Sequence, residues 1–143
     1  DMPNTVLLTS DTIVDFNGEV LGKPKNKNEA IETLRVLSGE THQVVTSLCV
    51  GFLGEKKQLV NSMVTKVKFL NLSDEMIRYY LDRETFGDKA GSYAIQDAYC
   101  FFVSEIRGSY SNVIGLPIEL LDEMMRSLLE DVENFSNWRN CFD

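Results

Sequence analysis

The chain has 143 residues, enough for one domain with a real core and too short for two comfortable ones. Hydrophobic residues make up 43% and charged residues 25%, the mix of a soluble globular protein; no apolar run approaches a membrane span and no charged-then-apolar leader opens the chain. A net charge of -8 excludes a broad nucleic-acid surface, which needs clustered Lys and Arg, and admits a small polyanion only where local lysines or a divalent cation offset the acidic field.

Residues 5–10, with the apolar run Val6-Leu7-Leu8, read as a strand interrupted at Asp11. Residues 13–16 and 19–21 read as a hairpin, because Asn17-Gly18 suits a two-residue turn. The pattern predicts a helix over 28–38, with Asn28 at its start, Ala30, Ile31, Leu34 and Leu37 on one face, and Gly39 at its end. Strands over 44–52 and 60–69 flank a turn at Gly54-Glu55-Lys56-Lys57. In the second, Val64, Val67 and Phe69 mix with Lys66 and Lys68, so one face is wet. Ser73 opens a short helix with Met76, Ile77, Tyr80 and Leu81 inward. Residues 82–97 read as a loop and 98–106 as a strong strand. The longest helix spans 117–135, with Pro117 in its first turn and Leu121, Met124, Met125, Leu128, Val132 and Phe135 buried. The whole is one α/β domain, a mixed twisted sheet flanked by helices.

The cysteines, Cys49, Cys100 and Cys141, are odd in number and widely spaced, which fits neither a disulfide framework nor a zinc motif. They read as reduced thiols of a cytoplasmic protein. With His42 as the single histidine, a Cys-His catalytic pair is a poor reading.

Polar residues stand out at three places. At Ser10-Asp11-Thr12, a carboxylate at a strand end can bind Mg²⁺ or accept a proton from water, and Lys23, stiffened between Gly22 and Pro24, can aim an ammonium at a fixed spot. The plain alternative is a turn cap and a solvated lysine. In residues 86–96, Gly87 and Gly91 bracket Asp88-Lys89, and Gln96 offers a donor and an acceptor that can read a base edge; an ordinary tight loop has the same composition. Residues 108–112 are dense in hydroxyls and amides ahead of the Pro117 helix, which suits either an anion or simple capping.

Taken together, "SDTIV…GEVLGKP", "LSGETHQVVT", "DKAGSYAIQ" and "GSYSNVIGLP" follow the order and spacing of the Maf family, and the chain resembles that family from about Val6 to the helix after Pro117. The resemblance implies an elongated α/β fold related to the inosine triphosphatases and a nucleoside triphosphate pyrophosphatase activity. It implies catalytic roles for Asp11, as proton acceptor or metal-side carboxylate, and for Lys23, facing the phosphates. It gives Lys89 to the substrate, and Thr12 with Gln96 to the branch acting on dTTP and UTP. A divalent cation (Mg²⁺ or Mn²⁺) is the implied cofactor. The implied partners are a nucleoside triphosphate and a second copy of the chain, with no nucleic acid and no membrane.

One departure stands out: the family's opening Ser-x-Ser-Pro-Arg-Arg loop, whose arginines grip phosphates, has no counterpart here, so residues 1–143 read as a single Maf-like domain incomplete at its N-terminus. A catalytically impaired nucleotide-binding or regulatory protein, of the kind linked to septum formation, is the alternative.

Overall fold

The computed structural model describes residues 5–130. In chain order the elements are β1 (Val6–Phe16), β2 (Glu19–Leu21), α1 (Lys27–Leu37), β3 (Thr41–Phe52), β4 (Lys57–Phe69), α2 (Asp74–Leu81), a 3₁₀ turn (Ala90–Ser92), β5 (Val103–Arg107), α3 (Tyr110–Ile114) and α4 (Ile118–Leu128). The strands form one sheet in the order β2-β1-β3-β4-β5, and every pairing among the described residues is antiparallel, with no parallel pair of the kind a mixed sheet contains. The α/β class holds.

The expected break at Asp11 is absent. β1 pairs with β3 without interruption from Val6 opposite Phe52 to Asp15 opposite Gln43. Successive side chains of a strand point to opposite faces, so a polar residue on a wet side does not end the ladder. The Val6-Leu7-Leu8 run is not core either: Leu7 is 55% and Leu8 39% exposed. The hairpin after β1 is as expected, with Asn17 (φ 53°) and Gly18 (φ 84°) both in the left-handed region that a type I′ turn requires.

Helix α1 starts one residue earlier than expected. Asn26, not Asn28, is its cap, and its side chain accepts from the backbone N–H of Glu29 at 2.8 Å. Both asparagines suit the role; the cap falls where Ala30, Ile31, Leu34 and Leu37 still meet the sheet. Gly39 follows the helix with φ 70°, and its N–H donates to the carbonyl of Leu70 at 2.9 Å. Ser73 caps α2 as expected, accepting from the N–H of Met76, and Ile77, Tyr80 and Leu81 are buried while Met76 is only half-buried. β3 and β4 each begin three residues earlier than expected, and β5 is shorter: Phe101 is 66% exposed, and the strand starts only at Val103, after a register shift at Lys68/Phe69. Pro117 is the cap of α4 rather than part of its first turn, and Val132 and Phe135 lie outside the described residues.

All the described helices lie on one face of the sheet, the face of the even residues of β3. Toward one end, Val44 packs with α1, α2, Phe69, Tyr93 and Phe102. Toward the other, Leu48 and Val50 pack with Leu120, Leu121, Met124, Met125 and Leu128 of α4. Burying each such side chain contributes roughly 1.5–3 kcal/mol relative to leaving it in water. The opposite face carries Val64 with Lys66 and Lys68, all exposed, so Val64 belongs with the lysines and not with Val67 and Phe69.

Candidate active site

β2 covers β1 only at Val14–Phe16, so the strand's edge from Val6 to Ile13 is open among the described residues. At an open edge, residues of both parities reach the same space. A cavity of about 370 Å³ lies there, and Ser10, Asp11 and Thr12 all line it. Lys23, Lys89 and Gln96 complete the ring, so the five residues singled out from the sequence face one cavity although they span 86 positions of the chain. Val14 and Val44 form its apolar floor.

The two loops that bring the lysines in are tied to each other. The backbone N–H of Gly91 donates to the carbonyl oxygen of Gly22 at 3.2 Å, one residue before Lys23 and two after Lys89. Gly91 has φ 70°, and a Cβ on it would sit 3.0 Å from Cγ2 of Val14. Only glycine lets this loop lie flat on β1.

Lys23 has no hydrogen-bond or ion-pair partner among the described residues, and neither has Asp11. Lys89 differs. Its Nζ pairs with Oδ2 of Asp97, and both side chains are largely buried. The same carboxylate oxygen accepts from the Tyr80 hydroxyl, which in turn accepts from the N–H of Ala94 at 3.1 Å. Burial, with Asp97 beside it, pushes the Tyr80 hydroxyl far above its ordinary range. Asp97 was not singled out from the sequence; the available signal was a buried tyrosine on α2 that needs a partner for its hydroxyl.

The third sequence motif proves to be scaffolding. The Ser109 side chain caps α3, accepting from the N–H of Asn112 at 3.1 Å, and its hydroxyl also contacts the Glu119 carboxylate. Ser111 donates to Glu119 and accepts from the N–H of Ile118, which locks α3 onto the start of α4. Backbone N–H donation at the helix start, then the two serine hydroxyls, hold the Glu119 carboxyl below its ordinary range. Only Val113 and Ile114 of this stretch reach the cavity.

A chain of hydroxyls runs inward from Thr12. Its Oγ1 lies 2.9 Å from Oγ1 of Thr46 on β3, and Thr46 donates to the backbone carbonyl of Asn112 at 3.1 Å. Thr46 was not singled out from the sequence, and Asn112 stood there only within the third motif, because the partners of Thr46 are 34 and 66 residues away in sequence. His42 is buried behind the cavity wall, its Nε2 2.7 Å from the hydroxyl of Tyr93, which lines the cavity. Burial lowers its pKa to about 4, so it stays neutral near pH 7. Cys49 and Cys100 are free thiols outside the cavity lining, and Cys141 lies outside the described residues.

Asp11 and Asp88 are the two carboxylates on the cavity lining, and no group of three or more His, Cys, Asp or Glu able to hold a metal occurs among the described residues. That donor set suits Mg²⁺, which takes one or two carboxylates together with water and substrate phosphates, and does not suit a metal that needs an all-protein cage. No helix of the described residues is long and apolar enough to cross a membrane.

The sequence profile of the Maf-like proteins matches residues 2–128. A dTTP/UTP pyrophosphatase of Pyrococcus abyssi is 47% identical over 124 residues, which cover 87% of this chain and 65% of the relative. One of Clostridium tetani is 46% identical over 123 residues, covering 86% and 64%, and one of Porphyromonas gingivalis is 46% identical over 119 residues, covering 82% and 59%. The chain thus spans just under two thirds of the length of these relatives.

Proposed function

The chain belongs to the family of Maf-like proteins, and on that premise we propose that it is a nucleoside triphosphate pyrophosphatase that hydrolyses dTTP and UTP to the monophosphate and pyrophosphate. The observation that carries the reading is the convergence of Asp11, Thr12, Lys23, Lys89 and Gln96 on one cavity. The relatives of Pyrococcus abyssi and Clostridium tetani, both dTTP/UTP pyrophosphatases, support the substrate class.

In this reading water attacks the α-phosphorus, the bond to the bridging oxygen of the β-phosphate breaks, and pyrophosphate leaves. Asp11, exposed at the open edge of β1 and free of partners, takes the proton of the attacking water. Lys23 offsets the charge that develops on the phosphates. Asp11 would hold a divalent cation, which supplies further charge neutralisation when bound. Thr12 and Gln96 face the base, and Lys89 stands between the two ends of the ligand with its ammonium braced by Asp97.

The test is pyrophosphate release from dTTP and UTP, with Mg²⁺ or Mn²⁺, by the chain and by Asp11→Asn. Loss of turnover with an unchanged melting temperature supports the reading; an Asp11→Asn variant that keeps most of its activity removes Asp11 from the mechanism.

One observation favours nucleotide binding without turnover as a second reading. Because Lys89 is paired with Asp97, Lys23 is the one lysine on the described cavity lining without a carboxylate partner, few cations for a triphosphate. Nucleotide binding with no pyrophosphate release marks that outcome. For assembly the reading is a homodimer. It is supported by exposed Leu7, Val60 and Val64 on a sheet face that no described helix covers, and light scattering that finds a monomer at high concentration overturns it. Free thiols at Cys49 and Cys100 support a reducing, cytoplasmic setting.

A further inference from the structure

Thr46 is fully buried, so no solvent competes for its hydroxyl. Its Oγ1 has two polar neighbours, the Asn112 carbonyl at 3.1 Å and Thr12 Oγ1 at 2.9 Å. A carbonyl only accepts, and a threonine hydroxyl has one proton to give. If that proton went to Thr12, two oxygens would face each other lone pair to lone pair in a dry interior. If it goes to Asn112, both contacts are hydrogen bonds, with Thr12 as the donor to Thr46. The Asn112 carbonyl cannot turn aside. It also accepts from the N–H of Gly115 at 3.0 Å, and the Asn112 carboxamide is held by Val44, Met63 and Thr65.

The proton of Thr12 is therefore committed inward, and what this residue presents to the cavity is an oxygen that only accepts. We propose that Thr46 is a positioning residue that fixes Thr12 as an acceptor-only group, and that the cavity thereby selects a pyrimidine edge that donates, the ring N–H of uracil or thymine. The proposal rests on the nucleotide reading above. Phosphate oxygens only accept, so such a Thr12 does not belong at the triphosphate end. Cytosine presents a bare ring nitrogen at the position where uracil carries N–H, and two acceptors would meet there. The expected discrimination against cytosine is on the order of tenfold to a hundredfold, the penalty of an unpaired buried acceptor.

The experiment compares kcat/KM for pyrophosphate release from UTP and CTP in the wild type, Thr46→Val, Thr46→Ser and Thr12→Val. Wild type should prefer UTP. Thr46→Val keeps the shape of the side chain but frees the Thr12 proton to turn outward, so the UTP/CTP ratio should fall by about fivefold or more, mainly through a lower KM for CTP. Thr46→Ser keeps the hydroxyl and should keep the ratio. Thr12→Val removes the acceptor, leaves Thr46 its bond to the Asn112 carbonyl and should also lower the ratio, which carries the test together with Thr46→Ser should Thr46→Val not fold. A wild-type preference that persists in Thr46→Val and Thr12→Val overturns the inference and leaves the functional reading standing. So does a preference lost in Thr46→Ser as fully as in Thr46→Val, since packing would then be the cause. Wild type that releases pyrophosphate from neither nucleotide overturns the functional reading, and the inference with it.

Discussion

The backbone N–H of Gly91 donates to the carbonyl of Gly22 across 3.2 Å. This bond joins the loop of Lys89 to the loop of Lys23, so the backbones that carry the two lysines of the cavity are tied to each other, while the Lys89 ammonium is held in turn by Asp97. The contact exists because residue 91 has no side chain: with φ 70° it lies against Val14, where a Cβ would stand 3.0 Å from a methyl group.

Gly91→Ala should therefore act on stability and site together. A left-handed non-glycine residue costs on the order of 1–3 kcal/mol, and displacement of Val14 adds to it. The expected result is a lower denaturation midpoint and a weaker affinity for nucleotide than Gly87→Ala gives, since a Cβ at Gly87 meets nothing within 4 Å. Equal midpoints for the two variants would mean that the loop rearranges without cost.

His42 sets a pH dependence whose sign is fixed by its burial. Its folded pKa, about 4, lies below the ordinary 6.5, so the unfolded chain takes up a proton in a range where the native chain does not. The stabilisation is complete above about pH 6.5 and is lost as the pH falls toward 4, amounting to about 2 kcal/mol between pH 7 and pH 5. His42→Gln, whose amide can still meet the Tyr93 hydroxyl, should flatten that slope. Urea midpoints of both proteins at the two pH values check this. Parallel slopes would show that the imidazole is protonated in the native state.

The sequence was most legible where a residue type has one conformational use. Asn17-Gly18, Gly39 and Ser73 sit in the turn, helix end and cap expected of them. The approach of Asp11, Lys23, Lys89 and Gln96 to one another was legible through the Maf resemblance, not through periodicity. What could not be read is the long-range hydrogen bonding. Asp97 looks like any loop carboxylate until Tyr80 and Lys89 close on it, and Thr46 looks like any strand threonine until Asn112 arrives from 66 residues away. The continuity of β1 through Asp11 was missed because a wet strand side and a strand end carry the same polar residues.

Asp97→Asn should separate the two jobs of that carboxylate. An amide can still accept from the Tyr80 hydroxyl, but it no longer neutralises Lys89. Loss of the largely buried ion pair should cost about 1–3 kcal/mol of stability. Inorganic pyrophosphate should nevertheless bind more tightly, by about threefold or more, because a carboxylate has been removed beside the anion site. Calorimetric titration with pyrophosphate reads the affinity directly. Weaker binding in the variant would show that Lys89 is useful only while Asp97 holds it in place.

Gln96 lines the cavity, is exposed, and has no partner among the described residues, so its amide is free to meet a ligand. Uracil and thymine carry a carbonyl oxygen beside their ring N–H; cytosine carries an amino group there. The Gln96 amide can donate to the carbonyl. A glutamate at this position can only accept, so it repels the carbonyl and welcomes the amino group. Gln96→Glu should shift preference from UTP toward CTP by on the order of 1–3 kcal/mol, at the lower end because the side chain is open to water. The new charge also adds to the acidic field of the cavity and should slow both nucleotides alike, so the ratio of their kcat/KM values is the quantity to follow, not either rate alone. A fall in both rates with an unchanged ratio would assign Gln96 to the charge balance of the cavity and leave base choice to Thr12.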